Sequence, residues 1–470
     1  MDIPVHVFRG TDKNVQTSRG TDKNVRATRS RAGKPVLRKA AGWKACAIDM
    51  KLTDEEKQML DGVYGEPVAK AMDYLIQFAD AFDAEKFVDV IYAHYPAEMS
   101  IYKGMVEDVV EYAEMGAKVR IPTTTSTLAC DLEQGKCYGC PIELCDKQAQ
   151  VVDAHRKMGL IETYTCTPQL LGFIPPKNSY IISVESSAII YFNSVLGART
   201  NRGGVFTRYS AVTGKYPLMG YLLKENRRGT HLFNIELTPD DLKNDSDYSA
   251  LGVHIGSIVG SEVPVLDNIG IPTQSNLLSL GATLATSGSV TLFHAPPHTA
   301  EADTVEDAFS GATPKEIHRV TKDDIRNAYD KFTNIQPGEP IDFVELGCPH
   351  YNLEQLRYVA DWFKENYAKV HPDVRFWVTT NRMTKLAASW EGITKTIEDA
   401  GGLVIVDTCP VESHMRISTC NEYGLPTPQI RAMVTDSGKM ARYCGDLIGC
   451  RTALRSKDEC LKCAVAGKNI

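Results

Sequence analysis

Three of the thirteen cysteines, Cys166, Cys348 and Cys409, share a setting that suits chemistry. Each follows a stretch that reads as a β-strand, in Thr-Cys-Thr-Pro, Gly-Cys-Pro-His and Thr-Cys-Pro, so each has a proline within two residues. Proline stiffens a loop and removes an amide donor, as suits a thiolate held in fixed geometry. Three thiolates gathered from dispersed loops can hold an iron or iron-sulfur centre with one open position, where a metal acts on substrate as a Lewis acid. The plain alternative is that they are small buried residues capping strands. A second group, Cys130, Cys137, Cys140 and Cys145, has the spacing C-x6-C-x2-C-x4-C; it can bind zinc or a further cluster, or form a loop entering a helix that begins near Glu143. Cys460 and Cys463 repeat C-x-x-C on a predicted helix, where packing explains them. His350, beside Cys348, is a candidate acid or substrate ligand, against the alternative of a structural loop histidine.

A second concentration of polar chemistry lies at residues 184–202, where Glu185, Ser186, Ser187, Asn193, Ser194, Arg199, Thr200, Asn201 and Arg202 surround a short apolar middle. Buried polar groups need partners, so the stretch reads as a wall that binds something polar, or as a helix with capping groups at both ends. Gly203, Gly204 and Arg208 follow, and Glu225-Asn226-Arg227-Arg228 repeats the mix of carboxylate, amide and guanidinium. Such clusters suit bidentate recognition of carboxylate or phosphate, unless they are solvated charged loops. No Walker loop and no dinucleotide fingerprint after a strand is present, which argues against nucleotide cofactors.

These residues need a frame, and alternating strand-like and helix-like segments supply one. Thr53 and Glu56 form a capping box before a short helix, and Pro67 opens a second helix to about Phe82. Strands are expected over 88–93, 118–121 and 161–165, with helices over 105–115 and 143–158. Signals are mixed over 238–340. Beyond them the pattern predicts strands over 342–346, 375–379 and 403–407 and helices over 353–370 and 383–400, a β-α-β-α-β run that implies a parallel sheet. In such sheets ligands sit outside the carboxyl ends of the strands, where all three cysteines fall. The chain divides into a disordered or mis-started leader at 1–49, with its repeated Arg-Gly-Thr-Asp-Lys-Asn-Val, an α/β region at 50–330 and a C-terminal domain at 331–470.

With 470 residues, 43% hydrophobic and 24% charged, the chain has the balance of a globular protein with a large core. A net charge of −7 gives no basic field for nucleic acid or anionic membranes, and no apolar run is long enough to span a bilayer. No secretory signal is visible, so a cytoplasmic enzyme with reduced cysteines is the expectation.

Taken together, 184–202, 225–228 and the motifs at Cys166, Cys348 and Cys409 resemble the large subunit of aconitase X enzymes, as does Leu-Thr-Asp-Glu-Glu-Lys ahead of Gly65-Glu66. The resemblance covers nearly all of residues 50–463 and implies an aconitase-like, multi-domain α/β architecture with parallel sheets flanked by helices. It implies a hydro-lyase whose iron or iron-sulfur centre is held by Cys166, Cys348 and Cys409. It also implies a partner, a small subunit carrying a swivelling domain and a serine base. Family substrates are β-hydroxy carboxylates, and cis-3-hydroxy-L-proline stands ahead of mevalonate 5-phosphate here because no glycine loop at a helix start would cradle a phosphate. Arg199, Arg202 and Arg228 are assigned to the substrate anion, with Arg208 and Thr200 beside them. Asn193, Ser194, Ser186 and Ser187 orient the substrate, and Glu185 and His350 serve acid–base or supporting roles. The Cys130–Cys145 group and Pro410-Val411-Glu412 depart from the family pattern. A non-catalytic iron-sulfur or zinc protein, or an iron-free scaffold for a catalytic partner, are the alternatives from other classes.

Overall fold

Short apolar strands alternating with helices leave both sheet faces to be covered, which favours parallel pairing. The computed structural model describes residues 50–97, 102, 104–135, 139–427 and 429–470. The leader expected at 1–49 and Cys137 lie outside the described residues.

The C-terminal third forms a five-stranded sheet in the order Leu403–Val406, Arg375–Thr380, Phe343–Leu346, Ala432–Thr435, Arg451–Leu454, parallel throughout. Three strands are the expected ones. Ala432–Thr435 and Arg451–Leu454 extend the β-α-β-α-β run, and at four residues each they carry too little periodicity to be read from sequence. The helix Leu353–Glu365 is capped by Asn352 and Gln355 and buries Leu356, Val359, Ala360 and Phe363, whose three- and four-residue spacing forms one stripe. The single helix expected over 383–400 is two, Arg382–Trp390 and Ile393–Asp399, because the chain turns through Gly392 in the left-handed region. The chain builds outward on one side of Phe343–Leu346 and then returns to its other side, so strand order reverses between Phe343–Leu346 and Ala432–Thr435. A ligand crevice is expected off the carboxyl ends at that reversal.

A second parallel sheet orders Thr123–Thr125, Ala93–Tyr95, Ile182–Ser183. The strand expected over 88–93 divides into Phe87–Asp89, paired antiparallel with Lys215–Pro217, and Ala93–Tyr95. The strand expected over 118–121 forms instead at Thr123–Thr125. Residues 161–165 form no strand, only a bridge from Ile161 to Thr124, because threonine hydroxyls take over the ladder. Thr163 Oγ1 accepts from the Thr125 amide at 3.0 Å and Thr125 Oγ1 accepts from the Thr163 amide at 3.1 Å. The Thr165 amide still donates to the Thr125 carbonyl at 3.2 Å, so Cys166 emerges beside this sheet's carboxyl end.

The mixed signals over 238–340 hide the strands Pro264–Asp267 and Glu316–Val320, which flank His231–Ile235 in a third parallel sheet, and the helices Asp245–Val259 and Gln274–Gly288. Both helices are buried on most sides within one large apolar core, so neither shows the single stripe that marks an amphipathic helix. No described helix is long and apolar enough to cross a membrane.

Candidate active site

The carboxyl ends of two sheets supply the site. Cys348 leaves Phe343–Leu346 through Gly347, whose φ is 112° and where a Cβ would lie 2.3 Å from the Thr379 carbonyl. Only glycine fits that turn. Cys409 follows Asp407, a non-glycine residue at φ 59° held there by its carboxylate, which accepts from the Arg382 amide at 2.9 Å and from Arg382 Nε at 2.5 Å. Leu128 lies alongside: its amide donates to the Asp407 carbonyl at 2.6 Å, and the Cys409 amide donates to the Leu128 carbonyl at 3.1 Å. Cys166 arrives from the other sheet.

His350 joins the three cysteine loops. Its amide donates to Cys166 Sγ at 3.3 Å, its Nδ1 lies 3.0 Å from Thr165 Oγ1 and its Nε2 3.2 Å from the Thr408 carbonyl. A carbonyl only accepts, so Nε2 carries the proton and Nδ1 accepts from the threonine. Burial lowers its pKa to about 4, and the ring is neutral. Both nitrogens are engaged by protein: residues adjoining Cys166 and Cys409 meet on the side chain two residues after Cys348.

Lys439 was not among the expected residues. It sits in the first turn of the helix Gly438–Tyr443, off the carboxyl end of Ala432–Thr435 and so on the far side of the strand reversal from Cys348. The Gly438 amide donates to Ser249 Oγ at 2.8 Å, and a Cβ on Gly438 would lie 2.9 Å from Val253 Cγ2, so this helix packs closely against Asp245–Val259. Lys439 Nζ directs its three donors to Glu185 Oε1 at 2.7 Å, Ser187 Oγ at 3.1 Å and Ser186 Oγ at 3.2 Å. The sequence signal was a short apolar run before Asp-Ser-Gly-Lys, visible only once that run is known to be a strand.

Glu185 caps the helix Ser186–Ser194, accepting from the Ser187 amide at 3.2 Å. Burial alone would raise its pKa; the Lys439 charge and hydrogen bond, the Ser187 amide and His94 outweigh burial and hold it at about 2. Burial likewise works against charge on Lys439, but Glu185 and Cys348 raise its pKa well above the ordinary value. The pair is therefore ionised at neutral pH. Burial, then Glu185, pushes the Cys166 thiol up to about 12, against Lys439 and the His350 amide. Cys348 and Cys409 are pushed up too, chiefly by burial; Cys348 also feels Cys166, and Cys409 feels Glu412 and Cys348. His94, a second residue the sequence reading missed, is fully buried with Nδ1 2.8 Å from Thr124 Oγ1, and burial lowers its pKa to about 4.

The remaining expected residues separate. Ser186 and Ser187 join the ion pair, but Asn193 is saturated: its Nδ2 donates to the Thr200 and Thr291 carbonyls at 3.0 Å, and its Oδ1 accepts from the Thr200 amide and from Arg227 Nη1. Ser194 Oγ accepts from the Phe293 amide at 2.9 Å, and Thr200 Oγ1 donates to the Asn201 carbonyl at 2.9 Å. Arg208 is buried in an ion pair with Asp108 and donates to Tyr95 Oη at 2.9 Å. All four side chains are engaged by other parts of the chain. Arg199 and Arg228 line a separate cleft of about 350 Å³ with Lys177, Lys224, Glu301 and Asp307. That cleft lies at the other end of the nine-residue helix, roughly 13 Å of helix away from Glu185. Arg202 is exposed, donates to the Ala285 carbonyl at 3.4 Å and pairs by backbone with Ser183, which makes it the named arginine that pairing brings nearest Glu185.

Cys166, Cys348 and Cys409 fit an iron-sulfur centre in donor chemistry. Their thiols influence one another electrostatically, an amide donates to one sulfur, and a buried ammonium offsets thiolate charge.

Family models match along most of the chain: aconitase X first domain over 49–225, second domain over 229–330 and third domain over 341–466. The phosphomevalonate dehydratase large subunit of Methanothermobacter thermautotrophicus is 35% identical over 413 residues, covering 86% of this chain and 96% of that protein. The cis-3-hydroxy-L-proline dehydratase of Pseudomonas aeruginosa is 31% identical over 425 residues, covering 88% of this chain and 70% of that protein. The crystal structure of Thermococcus kodakaraensis aconitase X (holo-form) superposes with a TM-score of 0.76 at 30% identity, covering 88% of this chain and all of that one. Two buried sheet ends, a glutamate–lysine pair and three cysteine loops thus sit on a frame shared with known dehydratases, and the chain belongs to the aconitase X family of hydro-lyases.

Proposed function

We propose that this chain is the large subunit of a two-chain dehydratase that removes water from mevalonate 5-phosphate, with cis-3-hydroxy-L-proline as the second reading. The observation that carries the hydro-lyase site is the ionised Glu185–Lys439 pair set among three cysteine loops. Cys166, Cys348 and Cys409 would hold an iron-sulfur centre, which supplies a Lewis acid for the departing hydroxyl. Lys439 positions the Glu185 carboxylate through its shortest contact and steadies Ser186 and Ser187. An ionised Glu185 accepts a proton or a substrate hydroxyl hydrogen; it cannot begin the reaction as an acid. Arg202 is the exposed guanidinium available for the substrate carboxylate. The proton beside that carboxylate is left to a base from the small subunit, in keeping with the family's serine.

Mevalonate 5-phosphate takes first place because relatives named for it, from Methanothermobacter thermautotrophicus and Methanocaldococcus jannaschii, are 35% and 34% identical. The want of a phosphate-cradling loop in the sequence favours cis-3-hydroxy-L-proline, but a phosphate can equally be held by separate arginine and lysine side chains. The Pseudomonas aeruginosa relative at 31% keeps the second reading in place. Reconstitution with the small subunit under iron-loading conditions and assay on both compounds decides: turnover of mevalonate 5-phosphate is expected. Turnover of the proline alone reverses the order, and turnover of neither removes both.

A further inference from the structure

We propose that Cys130, Cys140 and Cys145 form a second metal site, a mononuclear thiolate site of the zinc type, which braces the loop carrying Cys409. Their three sulfurs lie within 4.8 Å of one another, and no other group of His, Cys, Asp or Glu ligand atoms among the described residues does so. Zinc bound tetrahedrally at about 2.3 Å needs sulfurs about 3.8 Å apart, a contraction that side-chain rotation supplies. Soft thiolates select zinc over magnesium or calcium.

The backbone is already shaped for the site. Asp131 Oδ1 accepts from the amides of Glu133 and Gln134 at 2.8 and 3.0 Å. The Gly135 amide donates to the Asp131 carbonyl at 2.7 Å and the Cys140 amide to the Gly135 carbonyl at 2.9 Å, which folds Cys140 back onto Cys130. Cys130 and Cys140 are buried, while Cys145 is half-buried in the first turn of the helix Ile142–Met158. Two residues ahead of Cys130 stands Leu128, the residue that exchanges backbone hydrogen bonds with Asp407 and Cys409. From the other side, Arg382 reaches Glu133 at 3.5 Å and Lys385 Nζ donates to Gln134 Oε1 at 3.0 Å. A metal on the three thiols would fix this turn against the Cys409 loop, without itself meeting substrate.

The test uses the full chain with Cys166, Cys348 and Cys409 all changed to serine, so that bound metal reports the second site alone. After loading with zinc and gel filtration, elemental analysis is expected to find about one zinc per chain, and cobalt substitution to give the thiolate charge-transfer and intense visible bands of tetrahedral Co(II). Adding Cys130→Ser or Cys145→Ser is expected to lower retained zinc at least tenfold against a competing chelator. Negligible zinc in the parent, retention unchanged by either added variant, a disulfide between two of the cysteines, or iron-sulfur absorption at this site would each overturn the proposal. If the triple variant does not fold, zinc-edge X-ray absorption on the natural chain replaces it, where sulfur neighbours at about 2.3 Å are expected and a shell of nitrogen and oxygen alone is the contrary result.

Discussion

Charge at single residues decides what this site can do. Glu185 is ionised in the resting site, so replacing it by glutamine keeps the shape but removes the carboxylate that Lys439 positions. Glu185→Gln is expected to lower kcat at least 100-fold while iron content stays unchanged, measured on one preparation; a fall in iron alone would make Glu185 a support for the cysteines instead. Glu345 is the opposite case: burial, then Asp436, raises its pKa to about 8, against the Thr379 and Thr435 hydroxyls. The Thr379 hydroxyl is shared between the Gly347 carbonyl at 2.7 Å and Glu345 Oε1, which accepts from it at 3.1 Å. A raised folded pKa contributes stability in full below the unfolded value near 4.5, and that contribution is lost as pH rises through about 8. Glu345→Gln keeps the hydrogen bond without the titration. Its unfolding free energy is expected to overtake that of the natural chain between pH 5 and pH 8, by a few kcal/mol at order of magnitude, and parallel curves for the two proteins would contradict the assignment.

At the level of elements, loops that need a particular residue were legible, and elements that need tertiary context were not. Pro168, Pro349 and Pro410 marked three loops that reach one site, because a fixed φ after a strand is written in the residue itself. Lys439 escaped because its strand, Ala432–Thr435, is four residues long and fully buried, leaving no alternation to read. Arg199 and Arg202 look alike three residues apart in sequence, yet one lines the outer cleft and the other pairs with Ser183; only the packing of Ser186–Ser194 separates them. The threonine-rich 161–165 segment misled as a strand because hydroxyls there replace the ladder that β-branched residues usually join. The loops themselves can be tested. Gly347→Ala forces a Cβ against the Thr379 backbone at a φ that L residues avoid, and is expected to cost about 2–4 kcal/mol in a denaturant titration. His350→Ala is expected to leave the Glu185–Lys439 pair intact but to reduce the iron retained through gel filtration several-fold, since it unties the Cys166 and Cys409 loops together. Full retention would mean the loops are rigid without it.

Across the whole molecule, both constellations join parts of the chain far apart in sequence. Cys166 and Glu185 belong to the stretch matched by the first aconitase X domain, whereas Cys348, Cys409 and Lys439 belong to the stretch matched by the third. A group bound by all three cysteines therefore ties the two stretches together, and by linkage its binding free energy adds to the stability of their contact. At free ligand a thousandfold above Kd that is about 4 kcal/mol. In the iron-free chain the ion pair, the His350 contacts and the Leu128 backbone bonds to Asp407 and Cys409 remain to hold those ends. Anaerobic removal of iron by chelation is accordingly expected to lower Tm and to raise amide exchange at 165–168, 347–351 and 407–410 together, with the apolar core around Asp245–Val259 unaffected. The Cys166→Ser chain should already show the iron-free pattern and gain little from added iron. Exchange that rises at one loop alone, or a Cys166→Ser chain still stabilised by iron to the natural extent, would show that the three cysteines do not act on one bound group.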